Sequence, residues 1–385
     1  MYKKVIKEKN TSYDDISRQY YGTTEKSGDI AKLNNNIEEG EILIDVEEIN
    51  ITPERNNNLV TLIVENQSYE NFSENSLIDG LNSVKGAVFI FNKSDTNYSF
   101  KIGQNVQIYD SEGLFLNGKI FNTKNISNTK ARWSQVEIKS NAGILINSDV
   151  PYPLQFSNCS RKEILTEIAN YFNVKITFSD EKELDEVFVN EIGSSYTAGI
   201  NEKAFYFMLR ICKSAGLLIT DTGDGLFIGR YKPNTKEKLN LIQNECRGLQ
   251  EMRWQITADG LARYYEFNSQ FPQTATAKVQ IPVPIPITQR INSNDFNAYD
   301  LQSAGERFVC SEIGNHFNLI AVINENLPIK SGSFAVVYNP DVNIDEETDF
   351  IIKNVIRKHP DKTILTMTLP CAYTFEIPKE LPLCS

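Results

Sequence analysis

The stretch VQIYDSEGLFLNGKIF, residues 106–121, sets the expectation for the fold. In Val106-Gln107-Ile108 apolar side chains alternate with a polar one, which is the period of a strand with one buried face. Gly113 and Gly118 then punctuate the apolar run that follows. A short strand, a turn with glycine and a second strand predict antiparallel pairing.

Further strands flank this pair on both sides, so residues 58–150 are predicted to form one strand-rich domain. The predicted strands are Leu59–Val64, Val84–Phe91, Val106–Tyr109, Leu114–Phe121 and Trp133–Lys139. Short strands separated by glycine turns are typical of an antiparallel barrel, closed or half closed. We therefore expect a first β-barrel domain here.

The second half of the chain repeats this character over residues 233–374. A helix is predicted from Ala298 to Glu312, and the strands that follow it are Leu319–Asn324, Phe334–Tyr338, Phe350–Ile356 and Thr363–Leu369. Before the helix, Val279–Ile287 carries alternate prolines, which cannot donate the hydrogen bonds of a central strand. This run is predicted to be an extended linker or an edge. A connector between the barrels is favoured, with a docking peptide as the alternative. We expect a second β-barrel domain with a helix.

Between the two strand-rich regions, residues 151–232 are predicted to form an α+β domain. Ser160 and Glu163 stand at the spacing of a capping box, just before an amphipathic helix. A second helix is predicted over Asn201–Lys213. Two strands that meet at Gly223-Asp224-Gly225 then predict a hairpin.

The ends of the chain differ from these three regions. Residues 1–51 predict a small β-α-α-β module, and Thr52–Asn58 reads as a linker. Residues 375–385 contain two prolines and are expected to be a loosely held tail. The predicted fold class is mainly β with α+β parts: two antiparallel β-barrel domains, an α+β insertion and the N-terminal module.

Composition excludes several classes of protein. The 385 residues are 41% hydrophobic and 23% charged, as in soluble globular domains, and the net charge is −11. Nucleic-acid binders concentrate lysine and arginine, and this chain has no dense basic block. No apolar run reaches the roughly 18 residues that span a bilayer, and the N-terminus lacks a signal-peptide core. Neither specific nucleic-acid binding nor membrane insertion is expected.

No motif supplies catalytic chemistry. The six cysteines are scattered and are expected to be reduced and mostly buried, and the two histidines, His316 and His359, are expected to be solvated. The acidic run Asp345–Asp349 is interpreted as a solvated loop, and Phe205–Met208 as helix core. We therefore predict no catalytic, cofactor-binding or metal-binding residues, and a protein that is not an enzyme.

The N-terminal module resembles a LysM domain. The residues that carry the resemblance are Thr11–Ser17, Tyr20-Tyr21-Gly22, Ile30–Asn34, and Gly40 before Ile42-Leu43-Ile44. The sequence departs from the usual pattern where Asn10-Thr11-Ser12 replaces Gly-Asp-Thr and Glu39 replaces a proline. The resemblance implies the fold, and these departures favour docking to protein over binding to peptidoglycan.

The rest of the chain, about Asn58 to Thr374, resembles the tail protein P family, the Mu-like baseplate hub proteins of contractile phage tails. The matching pieces, in chain order, are Gly103-Gln104-Asn105-Val106, Gly118-Lys119-Ile120, Ser140–Val150, the capped helix at Ser160, Gly225-Leu226-Phe227-Ile228, Arg263-Tyr264-Tyr265 and Pro370-Cys371-Ala372-Tyr373. Each piece alone is short. Their common order over some 300 residues is the specific signal.

This resemblance implies a homotrimeric hub in the tail baseplate of a virion, assembled in the bacterial cytoplasm. Two barrels in each of three chains would form a ring that joins a sixfold tail tube to a threefold spike and leaves a channel for DNA. Its expected partners are further copies of itself, the tube and spike proteins and other baseplate proteins. Two alternatives remain open: a cell-wall-binding or lytic protein targeted by the LysM-like module, and a hub of a type VI secretion or phage-like bacteriocin particle.

Overall fold

The structure of the protein is a computed structural model. It describes residues 3–6, 48–51, 60–69, 72–92, 99–127, 132–151, 155–185, 196–232, 234–243, 246, 248–257, 260–269, 274–292, 300–359 and 361–381.

The described part of the chain is mainly β. Its strands are β1 Lys3–Ile6, β2 Glu48–Ile51, β3 Thr61–Val64, β4 Gln67–Tyr69, β5 Glu74–Gly80, β6 Gly86–Asn92, β7 Asn105–Asp110, β8 Gly113–Ser127, β9 Arg132–Ser140, β10 Gln155–Phe156, β11 Ile176–Phe178, β12 Tyr196–Thr197, β13 Leu218–Asp221, β14 Leu226–Gly229, β15 Asn234–Ile242, β16 Leu249–Ile256, β17 Tyr264–Ser269, β18 Ala275–Gln280, β19 Thr288–Asn292, β20 Phe317–Ile323, β21 Ser333–Asn339, β22 Ile344–Lys358 and β23 Lys362–Thr368.

The helices lie mostly between the two strand-rich regions and before β20. They are α1 Gly143–Asn147, α2 Arg161–Tyr171, α3 Lys182–Asp185, α4 Ala204–Ser214, α5 Leu301–His316 and α6 Cys371–Thr374, with a 3-10 turn at Pro340–Val342.

One large, mostly antiparallel sheet contains strands from both strand-rich regions. Its main path runs β2-β1-β15-β21-β22-β5-β6-β9-β8-β7-β3-β4, and β23, β20 and β16 branch from β22. The branch point is the long strand β22. One edge of β22 pairs first with β21 and then with β5, while the other edge pairs with β23. The two regions are therefore joined through the backbone of β22.

Each half of this sheet has its own apolar core. In the first half, alternate residues of β3, β6, β7 and β9 point inward, and Leu62, Phe89, Ile108 and Val136 are fully buried. In the second half, β20, β21, β22 and β23 enclose the larger core with α5. The alternation predicted from residues 106–121 is confirmed, because β7 shows the same alternation of buried side chains.

The middle region has a separate core, as its predicted α+β character requires. Ser160 accepts a hydrogen bond from Glu163 N while the Glu163 side chain accepts one from Ser160 N, so the predicted capping box opens α2. The amphipathic helix α4 then packs on α1 and α2. The hairpin at Gly223 is also confirmed, since β13 and β14 pair antiparallel on either side of it.

The proline-rich run lies within the second strand-rich region. It begins with the last two residues of β18 and leads into β19, and these two strands flank β17 on opposite sides. Ile281 and Val283 are buried, whereas Ile285 and Ile287 are exposed. Val279 and Gln280 lie in the edge strand β18 and residues 281–287 lie outside the strands, in agreement with the prediction of an extended linker or edge. The prediction that it connects two barrels is wrong.

The N-terminal segment is attached to the second half of the sheet. β1 pairs antiparallel with β2 and also with β15, so that Lys4 lies opposite Lys238. The rest of the predicted LysM-like module, including its helices and its strand Glu41–Val46, lies outside the described residues. Of the predicted loose tail, residues 375–385, the structure describes the part up to Leu381, which is buried.

The structure corrects two expectations about the strands. Neither half closes into a barrel through backbone hydrogen bonds among the described residues, because the two ladders merge at β22 instead of each returning on itself. The acidic run Asp345–Asp349 is not a loop but the exposed start of β22. The run contains no apolar residues, so the alternation of apolar and polar side chains that reveals a strand is absent from its sequence.

Candidate assembly surfaces

A buried ion pair links the two strand-rich regions. Arg357 on β22 donates from Nη2 to Oδ2 of Asp110 at the end of β7, at 2.6 Å. The side chains are 9% and 6% exposed. The guanidinium also lies 5.5 Å from the ring centroid of Phe115. Side chains thus close part of the gap between β7 and β22 that backbone pairing leaves open.

Two further polar contacts reinforce this junction. The Lys330 ammonium lies 2.6 Å from the carboxylate of Glu112. Asp79 Oδ2 accepts hydrogen bonds from both the backbone N and the hydroxyl of Ser331, each at 2.9 Å. Because both contacts join residues far apart in the chain, the two halves of the sheet are held in one relative position.

A buried carboxylate ties the middle region to the first half of the sheet. Asp221 accepts hydrogen bonds from the Lys85 backbone N at 2.8 Å, from the Gly223 backbone N at 2.7 Å and from the Ser140 hydroxyl. Burial raises the pKa of the Asp221 carboxyl, and these hydrogen bonds oppose that rise. All three regions therefore meet in a fixed arrangement.

A cleft with two lysines opens where these three regions meet. We call it the lysine cleft; its volume is about 190 Å³ and its lining includes Asn82, Lys213, Asn315, Lys353 and Tyr373. Burial lowers the pKa of both Lys213 and Lys353. The charge of Lys213 lowers the pKa of Lys353 further, whereas the charge of Glu312 opposes the drop for Lys213. Two cations thus stand together with incomplete hydration.

A β-bulge directs Lys353 to this place. Ile352 lies opposite Met367 and Asn354 lies opposite Thr366, so Lys353 is an extra residue without a partner on β23. Its carbonyl instead accepts a hydrogen bond from Leu81 N at 2.9 Å. Bulges re-aim side chains and are frequent beside functional sites.

An apolar cleft adjoins the lysine cleft and shares Leu209, Lys213 and Phe375 with it. This second cleft has a volume of about 320 Å³ and lies between α4 and α5. Tyr206, in the first turn of α4, lines it and is 55% exposed. The prediction of helix core for Phe205–Met208 is confirmed for the other three residues, which are buried.

The opposite end of β22 carries a protruding acidic segment. Ile344 lies opposite Asn339 and Thr348 lies opposite Val337, so three residues of β22 face one residue of β21. The three are Asp345, Glu346 and Glu347, all exposed, and we call them the acidic bulge. Within the part of the chain that the structure describes, no ion pair involves them.

An exposed apolar patch lies on the outer side of the first half of the sheet. Ile102, which is 69% exposed, and Ile144 line an open groove of about 500 Å³ together with Phe121 and Phe172. Tyr171 stacks edge-on against Phe172 and is also exposed. Exposed apolar surface of this kind is typical of protein contacts.

The structure does not bring the potentially reactive residues together. His316 ends α5, where its Nδ1 lies 2.9 Å from the Thr257 carbonyl oxygen, so the expectation of a solvated side chain is wrong for His316. His359 is exposed. Over the described ranges, no group of three or more His, Cys, Asp or Glu side chains could hold a metal ion.

The cysteines follow the sequence-based expectation in part. Cys212, Cys310 and Cys371 are buried, while Cys159 and Cys246 are half-buried, and all five are free thiols. Burial raises the pKa of the Cys371 thiol to about 12, so this group is protonated and unreactive at neutral pH. In the portion of the chain that is described, no helix is both long and apolar enough to span a bilayer.

Sequence reasoning missed the lysine cleft, although one signal was present. Lys353 interrupts the apolar run Phe350–Ile356. A strand buried in a sheet would be expected to carry another apolar residue at this position. Its position on a bulge depends on pairing with β23. That pairing could not be read from local sequence.

Comparison with known proteins shows the fold. No family model matches the chain, and no curated protein matches its sequence. Among solved structures, the 43 kDa tail protein of prophage MuSo2 from Shewanella oneidensis is similar with a TM-score of 0.68 and 14% identity, over 82% of this chain and 99% of that one.

Two other solved structures share the same architecture. A tail protein from Neisseria meningitidis MC58 has a TM-score of 0.68 and 13% identity, over 83% of this chain and 99% of that one. A component of the type VI secretion system of E. coli, described as similar to phage T4 tail proteins, has a TM-score of 0.51 and 11% identity, over 80% and 76% of the two chains. At these identities the likeness establishes a phage-tail-type fold.

Proposed function

We propose that this chain is a structural subunit of a contractile tail, the hub of its baseplate, and that it has no enzymatic role. The observation that carries the proposal is the likeness to two phage tail proteins over almost their whole length. The sequence resemblance to the Mu-like hub family supports the finer assignment. It covers about Asn58 to Thr374.

The proposed assembly is a homotrimeric ring. Each chain contributes two strand-built units, and three chains place six such units around one axis. The rigid junction through β22, Arg357 and Asp110 supports this proposal, because six units can match a sixfold tube only if the two units of each chain keep a fixed relative position. The ring would join tail tube to spike, leave a channel for DNA, and contact other baseplate proteins within a virion assembled in the bacterial cytoplasm.

The LysM-like module is proposed to dock to protein on this ring. The pairing of β1 with β15 supports a fixed place for the start of the module beside the second half of the sheet. A cell-wall-targeted lytic protein would instead use the module to bind glycan. Incubation of the purified protein with insoluble peptidoglycan, followed by sedimentation and a zymogram, tests this: the hub proposal expects the protein in the supernatant and no clearing.

A hub of a type VI secretion particle is the second candidate, which the likeness to the E. coli secretion component supports. Both candidates predict a trimeric ring, so the oligomeric state tests them together. Light scattering at micromolar concentration should give a trimer, and negative-stain images should show a ring with a central hole. A monomer at this concentration contradicts both.

A further inference from the structure

We propose that the lysine cleft of one copy of this chain receives the acidic bulge of the neighbouring copy, and that this contact closes the ring. The proposal rests on the proposed trimer and names the interface that would hold it. It is a contact between carboxylates of one chain and ammonium groups of the next.

The lysine cleft needs an anion. Lys213 and Lys353 line the same cleft. The charge of Glu312 partly compensates Lys213, whereas for Lys353 only burial and the charge of Lys213 act, and both disfavour its charged form. Like charges placed close together, with part of their water removed, cost free energy unless an anion compensates them. The protein as a whole carries a net charge of −11, so Lys353, which has a second lysine beside it in the cleft instead of a counter-charge, is a local exception.

The cleft is built around one of these charges. Lys353 occupies the extra position of a bulge within an otherwise regular pairing of β22 with β23. Asn82 places a side-chain amide in the same lining; its Oδ1 accepts from Ile219 N, and its NH₂ group can donate a hydrogen bond to a carboxylate. The chemistry of the cleft therefore matches a carboxylate ligand.

The ligand is identified by its charge and its accessibility. Asp345, Glu346 and Glu347 protrude from the ladder, because three residues face one on β21. Asp349, on the same strand, already lies 3.8 Å from Lys238, whereas these three carboxylates have no such cation among the residues described. They offer three adjacent negative charges to a partner.

Contact within one chain is excluded. Glu346 and Lys353 lie on the same strand, and a strand advances about 3.3 Å per residue, so their backbones are roughly 20 Å apart. Their side chains cannot span that distance. A contact between different patches on two copies is heterologous, and repeated around a rotation axis it closes a ring.

Charge reversal and its rescue test the contact. Lys353→Glu is expected to weaken self-association by about tenfold or more, because it places a carboxylate against the acidic bulge. Glu346→Lys combined with Glu347→Lys should weaken it similarly. The variant that combines all three substitutions should regain most of the association, and Lys182→Glu, at an exposed lysine on α3 outside the cleft, should leave it unchanged. Sedimentation velocity over a range of concentrations measures all four.

The outcomes separate this inference from the proposed function. A trimeric wild type whose association is unaffected by either charge reversal overturns the inference and leaves the hub proposal standing. A monomeric wild type overturns both. If Lys353→Glu fails to fold by circular dichroism, Lys353→Met takes its place, and it should weaken association without rescue by the acidic-bulge substitutions.

Cross-linking provides a second test that needs no variant. A carbodiimide joins a carboxylate to an amine with loss of water when the two groups are in contact. In trimers mixed from ¹⁵N-labelled and unlabelled copies, peptides linking Lys213 or Lys353 to residues 345–347 should carry both isotopes. Linkage of these lysines only to carboxylates elsewhere overturns the proposal.

Discussion

Arg357 and Asp110 form a buried ion pair across 247 positions of the chain, with Nη2 and Oδ2 2.6 Å apart. The pair lies where β22 carries the ladder from one half of the sheet into the other. It fixes the position of the two halves relative to each other within one folded chain.

Loss of one partner of this pair should destabilise the protein strongly. Asp110→Asn leaves the Arg357 guanidinium buried without an anion, which costs roughly 3–5 kcal/mol. The midpoint of urea unfolding should fall accordingly. The matched control is Asp224→Asn, which breaks an exposed pair with Lys175 and should leave the midpoint almost unchanged. Equal effects of the two substitutions would contradict the structural role of the buried pair.

Two glycines on opposite sides of β9 should respond differently to alanine. A Cβ at Gly118 would lie 1.9 Å from the Lys139 carbonyl oxygen, so Gly118→Ala must displace backbone and should cost about 1–3 kcal/mol. At Gly86 the nearest atom, the Ile138 carbonyl oxygen, is 3.4 Å away, and Gly86→Ala should be close to neutral. Thermal unfolding measures both. A tolerated Gly118→Ala would mean that β8 and β9 are further apart than the structure has them.

The cap of α2 should account for a measurable part of the stability of the middle region. Ser160→Ala removes the side-chain acceptor for Glu163 N and should cost about 1 kcal/mol. Ser160→Asp keeps an acceptor at the N-cap and should retain most of the stability. Hydrogen exchange of the first turn of α2 reports the effect locally, and no change in Ser160→Ala would show that the turn is held by packing alone.

The lysine cleft should reduce stability in the free subunit. The folded-state pKa of Lys353 is lowered from 10.5 by burial and by the charge of Lys213, so the charged lysine destabilises the fold at neutral pH. Lys353→Met should therefore raise the free energy of unfolding at pH 7 by ~0.5–1 kcal/mol. This advantage should shrink as the pH rises through the lowered pKa towards 10.5, because the wild type then loses its unfavourable charge.

The control for this pH dependence is Lys182→Met, at an exposed lysine for which no comparable change is expected. Urea unfolding at several pH values between 7 and 10.5, at protein concentrations low enough to dissociate the trimer, provides the measurement. If the difference between Lys353→Met and wild type stayed constant over this range, the lowered pKa of Lys353 would be wrong.

Local patterns in the sequence predicted the local elements well. The capping box at Ser160, the hairpin at Gly223 and the alternation around Ile108 each depend on residues a few positions apart, and the structure has all three. The predicted helix from Ala298 to Glu312 is α5, shifted by a few residues towards the C-terminus.

Long-range pairing could not be predicted in the same way. The pairing of β5 with β22 places Asp79 opposite Val355. The pairing of β1 with β15 joins the N-terminal segment to the first strand of the second strand-rich region. Such partners are selected by the packing of whole cores, and no local spacing encodes them. The lysine cleft was missed for the same reason, because the bulge at Lys353 exists only in relation to β23.

The oligomeric state tests the account most directly. Analytical ultracentrifugation at micromolar concentration should give a mass of three times the 43.7 kDa of one chain, and electron microscopy should show those particles as rings with an open centre. A chain that sediments with the mass of a monomer across this range, or a compact trimer without a central opening, would contradict the account.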